Sequence, residues 1–434
     1  MTWDEERASR FVRRTLTQAH VPPSRVDVGA VLDAGRRSER RRRRLTVGLA
    51  AVAVLVVGLG STVVVGRSGH DRGLSQVTDR PPEILPTATL VPVTVDIAAG
   101  AAAPCRYEQY PVPEEAWFPR VSAADPSGRV LAGRAEVSNK AVEQVRSYLL
   151  LWDRGRPSLI DLPEVRGATV NAVNASGVVV GTSRRQDDES RVSWVYRDGR
   201  LRHLSPPPGY DQTLPLAVND RGDILGISSA VGRGSTPVVW PAGSEGPPRI
   251  LRGPDRGRVI GWTADGTVVW FVPEPSAGVK VPAEIRFLRA DGSSALRPVP
   301  AGWSPGSMRF EQLPMRGDWV AGIIPGAGEK SPPAVLNLRT GELIVYHGLD
   351  TRNHFSVVAR PDGGVLAGVP GQGWKLVDRD GTTRSVPLPA GADPEYGPQP
   401  LLIDDAGTIH GAVHPADPGS RRADQDVPTV WRCR

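Results

Sequence analysis

The residues of this chain with the best-known chemistry do not stand at the spacings that catalysis or metal binding requires. His410 and His414 are four positions apart in TIHGAVH. On a helix this spacing would place two imidazoles on one face, where they could hold a metal ion. The flanking residues instead predict a strand that runs into a loop, so we expect no metal site here.

A phosphate-binding loop is suggested by PGAGEKS at 325–331, which contains a Lys-Ser pair. Glu329 stands where such a loop needs Gly, and Pro332 and Pro333 exclude the helix whose N-terminus would hold phosphate. The motif H-E-x-x-H does not occur. The sequence therefore predicts no catalytic, metal-binding or cofactor-binding residue, and we expect the chain not to be an enzyme.

Two further patterns have simple structural interpretations. The acidic residues Asp187, Asp188 and Glu189 offer ligands for a cation, but they also suit a solvated loop, which is the interpretation we prefer. The tripeptide Arg-Gly-Asp occurs at 221–223 and at 316–318. Both copies fall at the same turn of a repeat, where these residue types are common.

The elements that carry these residues follow from a repeated phrase. AVNASGVVVG (172–181) and AVNDRGDILG (217–226) are nearly identical, and five weaker copies bring the total to seven. Each copy has an apolar run, a turn and a second apolar run, and two further runs follow. The turn glycines accept positive φ at little cost, and they recur at intervals of roughly 43 to 51 residues: Gly128, Gly177, Gly222, Gly266, Gly317, Gly363 and Gly407.

Four strands per unit and a period in the forties predict an all-β fold, a seven-bladed β-propeller, with six or eight blades as the alternatives. A single four-stranded sheet cannot bury both of its faces, but seven sheets packed radially can. The 48 Gly and 42 Pro of the 434 residues are scattered, as many tight turns require. We expect the propeller to occupy residues 105–434.

The last unit ends at TVWRCR without a fourth strand. CRYEQYPVP at 105–113 has the apolar, Pro-terminated pattern of that strand and would close the ring. Cys105 would then lie beside Cys433, and these are the two cysteines of the chain. We predict a disulfide bond between them, formed outside the cytoplasm; two unrelated free thiols are the alternative.

Residues 172–204, AVNASGVVVGTS through SWVYRDGRLRHL, resemble the HAF-type extracellular repeat. Units of that type pair an N-x-x-G-x-x-x-G hairpin with a W-D-x-G third strand, and 216–243 match through AVNDRGDILG and VVWPAG. The other five copies are weaker, and the fourth has Trp270 in place of the second Gly. As a repeat type the resemblance covers 117–434, and it implies an exported β-propeller without defined catalytic residues.

In such propellers the loops between the second and third strands commonly lie on the face used for binding. These loops are long here, and we expect a protein or glycan ligand on that face: 135–145, 183–191, 228–236, 273–284 and 325–333. Loops that merely tolerate insertions are the alternative.

Residues 45–66 contain no charged residue and, at 1.5 Å per residue, can cross a hydrocarbon core of about 30 Å. An Arg cluster precedes them and keeps the N-terminus in the cytoplasm by the positive-inside rule: Arg36, Arg37, Arg40, Arg41, Arg42, Arg43 and Arg44. A cleaved signal peptide is the alternative, which the length of the apolar run and of the segment before it disfavours. We predict a single-pass cell-membrane protein whose C-terminal domain is extracytoplasmic, with a Pro/Ala-rich linker at 67–104.

The net charge of +6 arises within the cytoplasmic basic tail at 1–44, because 45–434 hold equal numbers of basic and acidic residues. The propeller therefore has no basic stripe, and we expect no nucleic-acid binding. Two short amphipathic helices are predicted in the tail, so residues 1–35 are expected to dock either on a cytoplasmic protein or on anionic lipid beside the Arg run. A purely topogenic tail is the alternative.

Together these features predict a membrane-anchored propeller that acts as a non-enzymatic protein- or glycan-binding module. A transmembrane signalling protein whose tail binds a cytoplasmic regulator is the second hypothesis. An envelope hydrolase or lyase that uses the propeller as a scaffold is the third.

Overall fold

The structure, a computed structural model, describes residues 82–95 and 104–433 with internal gaps. The gaps are 140–143, 163–164, 186–189, 232–233, 252, 254–256, 264, 275–282, 307–312, 325–330, 350, 352–356, 370–371, 394–397 and 417–425. Regular structure in the described ranges consists of β-strands, and no helix with the length and apolar character of a membrane span is found there. The predicted tail at 1–44, the span at 45–66 and the acidic run at 187–189 lie outside the described residues.

Seven sheets form successive blades, which confirms the predicted all-β, seven-bladed propeller. Three strands precede the blades: β1 (Glu83–Ile84), β2 (Thr89–Thr94) and β3 (Arg106–Gln109). The strands of blades 1 to 3 are β4 (Trp117–Ala124), β5 (Val130–Asn139), β6 (Gln144–Asp153), β7 (Arg156–Asp161); β8 (Val165–Val173), β9 (Val179–Arg185), β10 (Arg191–Arg197), β11 (Arg200–Leu204); β12 (Gln212–Val218), β13 (Ile224–Ser229), β14 (Thr236–Trp240) and β15 (Arg249–Ile250).

Blades 4 to 7 continue in the same way, except that the first strand of blade 5 is in two pieces. Their strands are β16 (Arg258–Trp262), β17 (Val268–Val272), β18 (Glu284–Leu288), β19 (Ser294–Pro298); β20 (Ser304–Pro305), β21 (Met315–Arg316), β22 (Trp319–Ile323), β23 (Pro333–Asn337), β24 (Glu342–His347); β25 (Val357–Ala359), β26 (Val365–Val369), β27 (Gly373–Val377), β28 (Thr383–Ser385); β29 (Pro398–Ile403), β30 (Ile409–Val413) and β31 (Val427–Arg432).

Strand order within a blade follows chain order, as in β8–β9–β10–β11 of blade 2. The first strands converge at the centre of the ring, and the last strands lie at its rim. Neighbouring strands of a blade are antiparallel, so the turns after the first and third strands lie at the same end of the blade. We call this the turn end; the loops after the second strands lie at the opposite end.

Tryptophans of the third strands join neighbouring blades. Trp240 Nε1 donates to Ser205 O at 3.3 Å, and Trp431 Nε1 donates to Pro387 O at 2.9 Å. Each of these carbonyls follows the last strand of the preceding blade. A Cβ added to Gly226 in the second strand would lie 2.8 Å from the Trp240 ring. The second Gly of the repeated phrase thus makes room for the Trp of the third strand.

The turn within the repeated phrase has the same hydrogen bond in six blades, from the Gly N–H to the carbonyl three residues earlier. In blade 2 the Gly177 N–H donates to Asn174 O at 3.0 Å. Asn174 Oδ1 also accepts from the backbone N–H groups of Ser176 and Val178. A polar first residue holds the turn through its side chain while Gly supplies the positive φ, so the phrase recurs because each blade needs this turn.

The N-terminal strand β3 completes blade 7 by pairing antiparallel with β31. The paired residues run from Arg106 opposite Arg432 to Gln109 opposite Thr429. A disulfide bond joins Cys105 and Cys433, with an S–S distance of 2.02 Å. The ring is therefore closed by a strand from its N-terminal side and by a covalent bond beside that strand.

Residues 82–95, which we call the strap, belong to the segment predicted as a linker, yet they pair with two blades. Strand β1 runs parallel to β19 at the rim of blade 4, and β2 runs parallel to β24 at the rim of blade 5. Pro92 lies within β2, where an edge position tolerates a residue without an N–H group. The Pro-rich composition indicated extended chain, but it carries no information about the free sheet edges that this chain meets.

Candidate functional site

A cavity of about 470 Å³ lies at the centre of the ring, toward the turn end. The first strands of blades 1, 2, 3, 4, 5 and 7, with the turns that follow them, contribute its lining. Its apolar wall includes Val218, Trp262, Leu313, Met315 and Ile403. This volume falls within the range of small-molecule binding sites.

Among the described residues, six ionisable side chains line the cavity, and three of them are committed to partners within the protein. Asp125 is 1% exposed, and its carboxylate accepts hydrogen bonds from two backbone N–H groups. Arg221 Nε pairs with Asp223 at 3.1 Å, and Asp318 pairs with Arg339 Nε at 2.8 Å. These charges stabilise the turns around the cavity.

The other three ionisable side chains of the lining have few partners among the described residues. Arg316 is partly buried and donates one hydrogen bond, from Nη1 to Met315 O at 3.2 Å. It forms no ion pair with a described residue. Asp220 accepts from the Ala175 N–H at 3.5 Å, and the Asp405 carboxylate accepts no hydrogen bond from a described residue. One guanidinium and two carboxylates therefore remain available to a bound molecule.

Burial changes the pKa of two of these groups. Burial lowers the pKa of the Arg316 guanidinium, and attraction by Asp405 opposes that change. Asp405 is exposed to solvent within the cavity, but surrounding protein still withdraws it from bulk water and raises the pKa of its carboxyl; repulsion by Asp404 adds to the rise, and Arg316 opposes it. Each group is thus set where an opposite charge on a ligand would stabilise its ionised form.

Arg316 reaches the cavity because the first strand of blade 5 is split. Strand β20 pairs with the end of β22, and β21 pairs with its beginning. Gly317, with φ of 54°, opens the tight turn from β21 into β22. A Cβ added to Gly261 of blade 4 would lie 2.0 Å from Met315 Sδ. Because Gly261 has no side chain, Met315 fits against it, and the next residue, Arg316, lies at the centre of the ring.

The two histidines singled out from the sequence lie in separate hydrogen-bond networks. His410 is 2% exposed; its Nε2 lies 3.1 Å from Asp404 Oδ2, and its Nδ1 lies 2.8 Å from Tyr110 Oη. His414 Nδ1 lies 3.4 Å from Asp426 Oδ1. Across the described part of the chain, no group of three or more ligating side chains is placed to hold a metal ion.

The two Arg-Gly-Asp tripeptides both lie at the rim of the cavity, but they differ in how their charges are used. In the first, Arg221 and Asp223 pair with each other. In the second, Asp318 pairs with Arg339 while Arg316 keeps its charge for the cavity. Sequence reasoning treated both as ordinary turns and missed Arg316. One feature of the sequence could have marked Arg316: the turn of blade 5 is PMRG at 314–317, where blades 2 and 3 have the N-x-x-G pattern.

The five long loops expected to form a binding face lie at the opposite end of the ring from this cavity, because each second strand runs away from the turn end. Part of each loop lies outside the described residues, including 325–330 of the stretch that suggested a phosphate-binding loop. The stretch 135–145 is shorter as a loop than expected, because β5 extends to Asn139 and β6 begins at Gln144. A ligand on that face stays a prediction.

No family model and no curated protein matches the chain. Solved β-propellers do. The propeller domain of the Trilobed protease from Pyrococcus furiosus is 12% identical, with a TM-score of 0.50 over 74% of this chain and 94% of that chain. An acylaminoacyl peptidase from Pyrococcus horikoshii is 11% identical, with a TM-score of 0.47 over 72% of this chain and 51% of its own. A puromycin hydrolase is 15% identical, with a TM-score of 0.43 over 73% and 52%. This chain spans about half the length of the last two proteins.

These comparisons establish the fold alone, and the ring closure distinguishes this chain from the first of them. The Trilobed protease propeller has an open velcro topology, whereas β3 closes blade 7 here. The prediction of a non-enzymatic binding module is wrong, because a propeller of similar fold is a domain of a protease and the fold therefore gives no ground for excluding an enzymatic role. The resemblance to the HAF-type repeat stays a prediction.

Proposed function

We propose that this propeller is the substrate-receiving part of a peptide-hydrolysing system, and that substrate binds in its central cavity. The observation that carries the proposal is the cavity itself, where Arg316, Asp405 and Asp220 are available among apolar side chains. A short peptide has the matching groups, namely two charged ends and apolar side chains between them. A propeller of similar fold is a domain of a protease, which supports this choice of substrate.

The lining indicates a division of labour. No histidine, cysteine or serine occurs among the described residues that line the cavity. Such a surface is suited to bind and orient a substrate, whereas covalent attack needs an activated nucleophile. In this proposal the hydrolytic groups belong to a separate catalytic unit, and the propeller selects the molecules that reach it.

We also propose that the system works outside the cytoplasm, held by the predicted span at 45–66. The Cys105–Cys433 disulfide supports this location, because disulfides persist in oxidising compartments. External protease added to intact cells lacking an outer barrier should digest the propeller and spare an epitope tag placed before residue 1. Protection of the propeller under these conditions would contradict the proposed location.

A direct test of substrate binding uses the purified full-length protein and a tripeptide that carries a photoreactive group. After irradiation, the label should map to residues that line the cavity, such as Trp262 and Met315. In parallel, cells with and without the chain should differ in how fast they hydrolyse the same tripeptide added outside. Labelling confined to other surfaces, together with equal hydrolysis rates, would overturn the proposal.

A further inference from the structure

The proposed function does not say which part of a peptide the cavity takes. Resting on that function, we infer that Arg316 binds the free C-terminal carboxylate of the peptide, and that the apolar wall receives the side chain of its last residue. The substrate class is therefore short peptides with a free carboxyl end and an apolar C-terminal residue.

The Arg316 guanidinium has hydrogen-bond donors that the described residues do not use. A guanidinium has five N–H donors in a planar fork. Among the described residues, the Arg316 guanidinium donates one hydrogen bond, to Met315 O. Asp405 attracts this cation from beyond ion-pair distance, and a partly buried cation without an ion pair is costly. A carboxylate can accept two parallel N–H bonds from this fork, which both neutralises the charge and satisfies donors.

Other arginines at the turn end form ion pairs within the protein, whereas Arg316 forms none with a described residue. Arg221, the other arginine of the lining, is paired with Asp223 at 3.1 Å. Arg129 of blade 1 is paired with Asp153 at 3.1 Å. In each of these ion pairs, a carboxylate of the protein neutralises the charge of the guanidinium. Arg316 differs from both, since no described carboxylate lies within ion-pair distance of it.

The cavity lining beside Arg316 suits the rest of the peptide. Trp262, Leu313 and Met315 form apolar wall beside Arg316, where an apolar side chain would be removed from water. Asp405 and Asp220 also line the cavity. Their negative charges repel a ligand with further carboxylates, so an acidic C-terminal residue is disfavoured.

The test measures binding of three probes to the purified full-length protein by calorimetry: trileucine with a free carboxyl group, trileucine amide, and Leu-Leu-Glu. A hydrogen-bonded charge pair corresponds to roughly a tenfold or greater change in affinity, so the wild-type protein should bind the free acid at least about tenfold more tightly than the amide. Leu-Leu-Glu should bind more weakly than trileucine.

Arg316→Gln should remove the preference for the free acid, and Arg316→Lys should leave a reduced one because it keeps the charge without the planar fork. Arg129→Gln is the matched control: it removes an arginine charge at the turn end outside the cavity lining, and the preference should survive. Thermal melting of each variant checks the fold. If Arg316→Gln does not fold, the wild-type and Arg316→Lys measurements still decide the question.

The outcomes separate this inference from the proposed function. Equal binding of trileucine and its amide to the wild-type protein, with the photoreactive label still in the cavity, would overturn the role of Arg316 and leave a peptide-receiving cavity in place. A preference that persists in Arg316→Gln would do the same. If none of the three probes binds, both the role of Arg316 and the peptide-receiving function of the cavity are overturned.

Discussion

Two interfaces between blades are spanned by chain from the N-terminal side of the ring, and they are held in different ways. At the junction of blades 7 and 1, the chain that enters blade 1 carries β3, which is joined to β31 within blade 7 by backbone pairing and the Cys105–Cys433 bond. Between blades 4 and 5, the strap adds a short parallel strand to each rim. The first device makes a permanent seam, whereas the second has no covalent bond to keep it in place.

Polar contacts at the seam are well matched. Tyr110 Oη lies 2.8 Å from His410 Nδ1, and Asp404 Oδ2 lies 3.1 Å from the other ring nitrogen. An ion pair of 3.1 Å joins Arg120 of blade 1 to Asp426, beside blade 7. Each buried group that these contacts involve has a partner of suitable chemistry, so the seam resists opening at both its covalent and its polar contacts.

The strap covers a group that is poorly matched. Arg297 is 4% exposed, and its Nη1 donates to Pro86 O at 2.9 Å while Nη2 donates to Arg339 O at 3.3 Å. Its Nε has no partner among the described residues, and no described carboxylate pairs with it. Burial lowers the pKa of this guanidinium. The strap is held over this group by backbone pairing and a hydrogen bond to Pro86 O, without a covalent bond, so it is the more easily opened of the two devices.

The largest effect should come from the covalent bond of the seam. Replacing both Cys105 and Cys433 by Ser should lower the free energy of unfolding by about 2–5 kcal/mol, because the bond closes a loop of 328 residues in sequence separation. Guanidinium denaturation without reductant measures this change. Wild-type protein in reductant should give the same curve. Coincident curves for the variant and the oxidised wild type would mean that the disulfide does not hold the seam.

A smaller effect is expected from the polar part of the seam. Tyr110→Phe keeps the ring but removes the hydroxyl from His410 Nδ1, leaving a buried imidazole nitrogen without its partner. The free energy of unfolding should fall by about 1–3 kcal/mol. Tyr107→Phe is the control, because Tyr107 is 39% exposed and its hydroxyl accepts one hydrogen bond, from the Ala390 N–H at 3.2 Å. Equal losses in the two variants would contradict a special role for Tyr110.

The strap should respond locally to a change that leaves the whole ring nearly as stable. Arg297→Met removes the buried charge at similar volume, and such changes are often neutral for the free energy of unfolding. The two hydrogen bonds to Pro86 O and Arg339 O are lost, so amides of β1 and β2 should exchange with deuterium roughly tenfold faster. Unchanged exchange of these amides, or loss of several kcal/mol of global stability, would show that the strap opens only with the ring.

The contrast between local and distant signals explains what the sequence could predict. The blades could be predicted because the turns are held by their own residues, as Asn174 and Gly177 show, and because Trp240 packs on Gly226, 14 positions earlier in the same blade. The pairing of the strap could not be predicted, because β2 pairs with a strand some 250 residues later in the chain. Its prolines indicate an extended chain and nothing about a partner.

Arg316 could not be found from the sequence for a related reason. Its importance depends on partners that it lacks, and these are known only once Met315 is seated against Gly261 and the lining is assembled. The same tripeptide at 221–223 gives a different result, because Asp223 pairs with Arg221. Residue type alone does not separate the two arginines.

The smallest predicted effect concerns Asp405, a carboxyl group at the seam that is repelled by the neighbouring Asp404. Asp405 donates its backbone N–H to Pro126 O at 2.8 Å across the seam, and burial together with repulsion by Asp404 raises the pKa of its carboxyl. A carboxyl whose pKa is higher in the folded state favours folding below its unfolded pKa, which is about 3.9 for Asp. That contribution is lost as the pH rises through the folded value.

Asp405→Asn does not titrate, so its free energy of unfolding relative to the wild type should improve between about pH 4 and neutrality. Asp380→Asn is the control with the opposite sign, because hydrogen bonds from Thr382 lower the pKa of Asp380. Its carboxylate stabilises the fold above the unfolded pKa of about 3.9, and this contribution is lost as the pH falls through the lower folded value. Relative to the wild type, that variant should therefore be destabilised by a constant amount between about pH 4 and neutrality. Parallel pH profiles for the two variants would contradict the repulsion assigned to Asp405. A relative gain for Asp405→Asn above about pH 4 that is absent from Asp380→Asn would show that the Asp405 carboxylate, which lines the cavity, is an unfavourable charge of the seam.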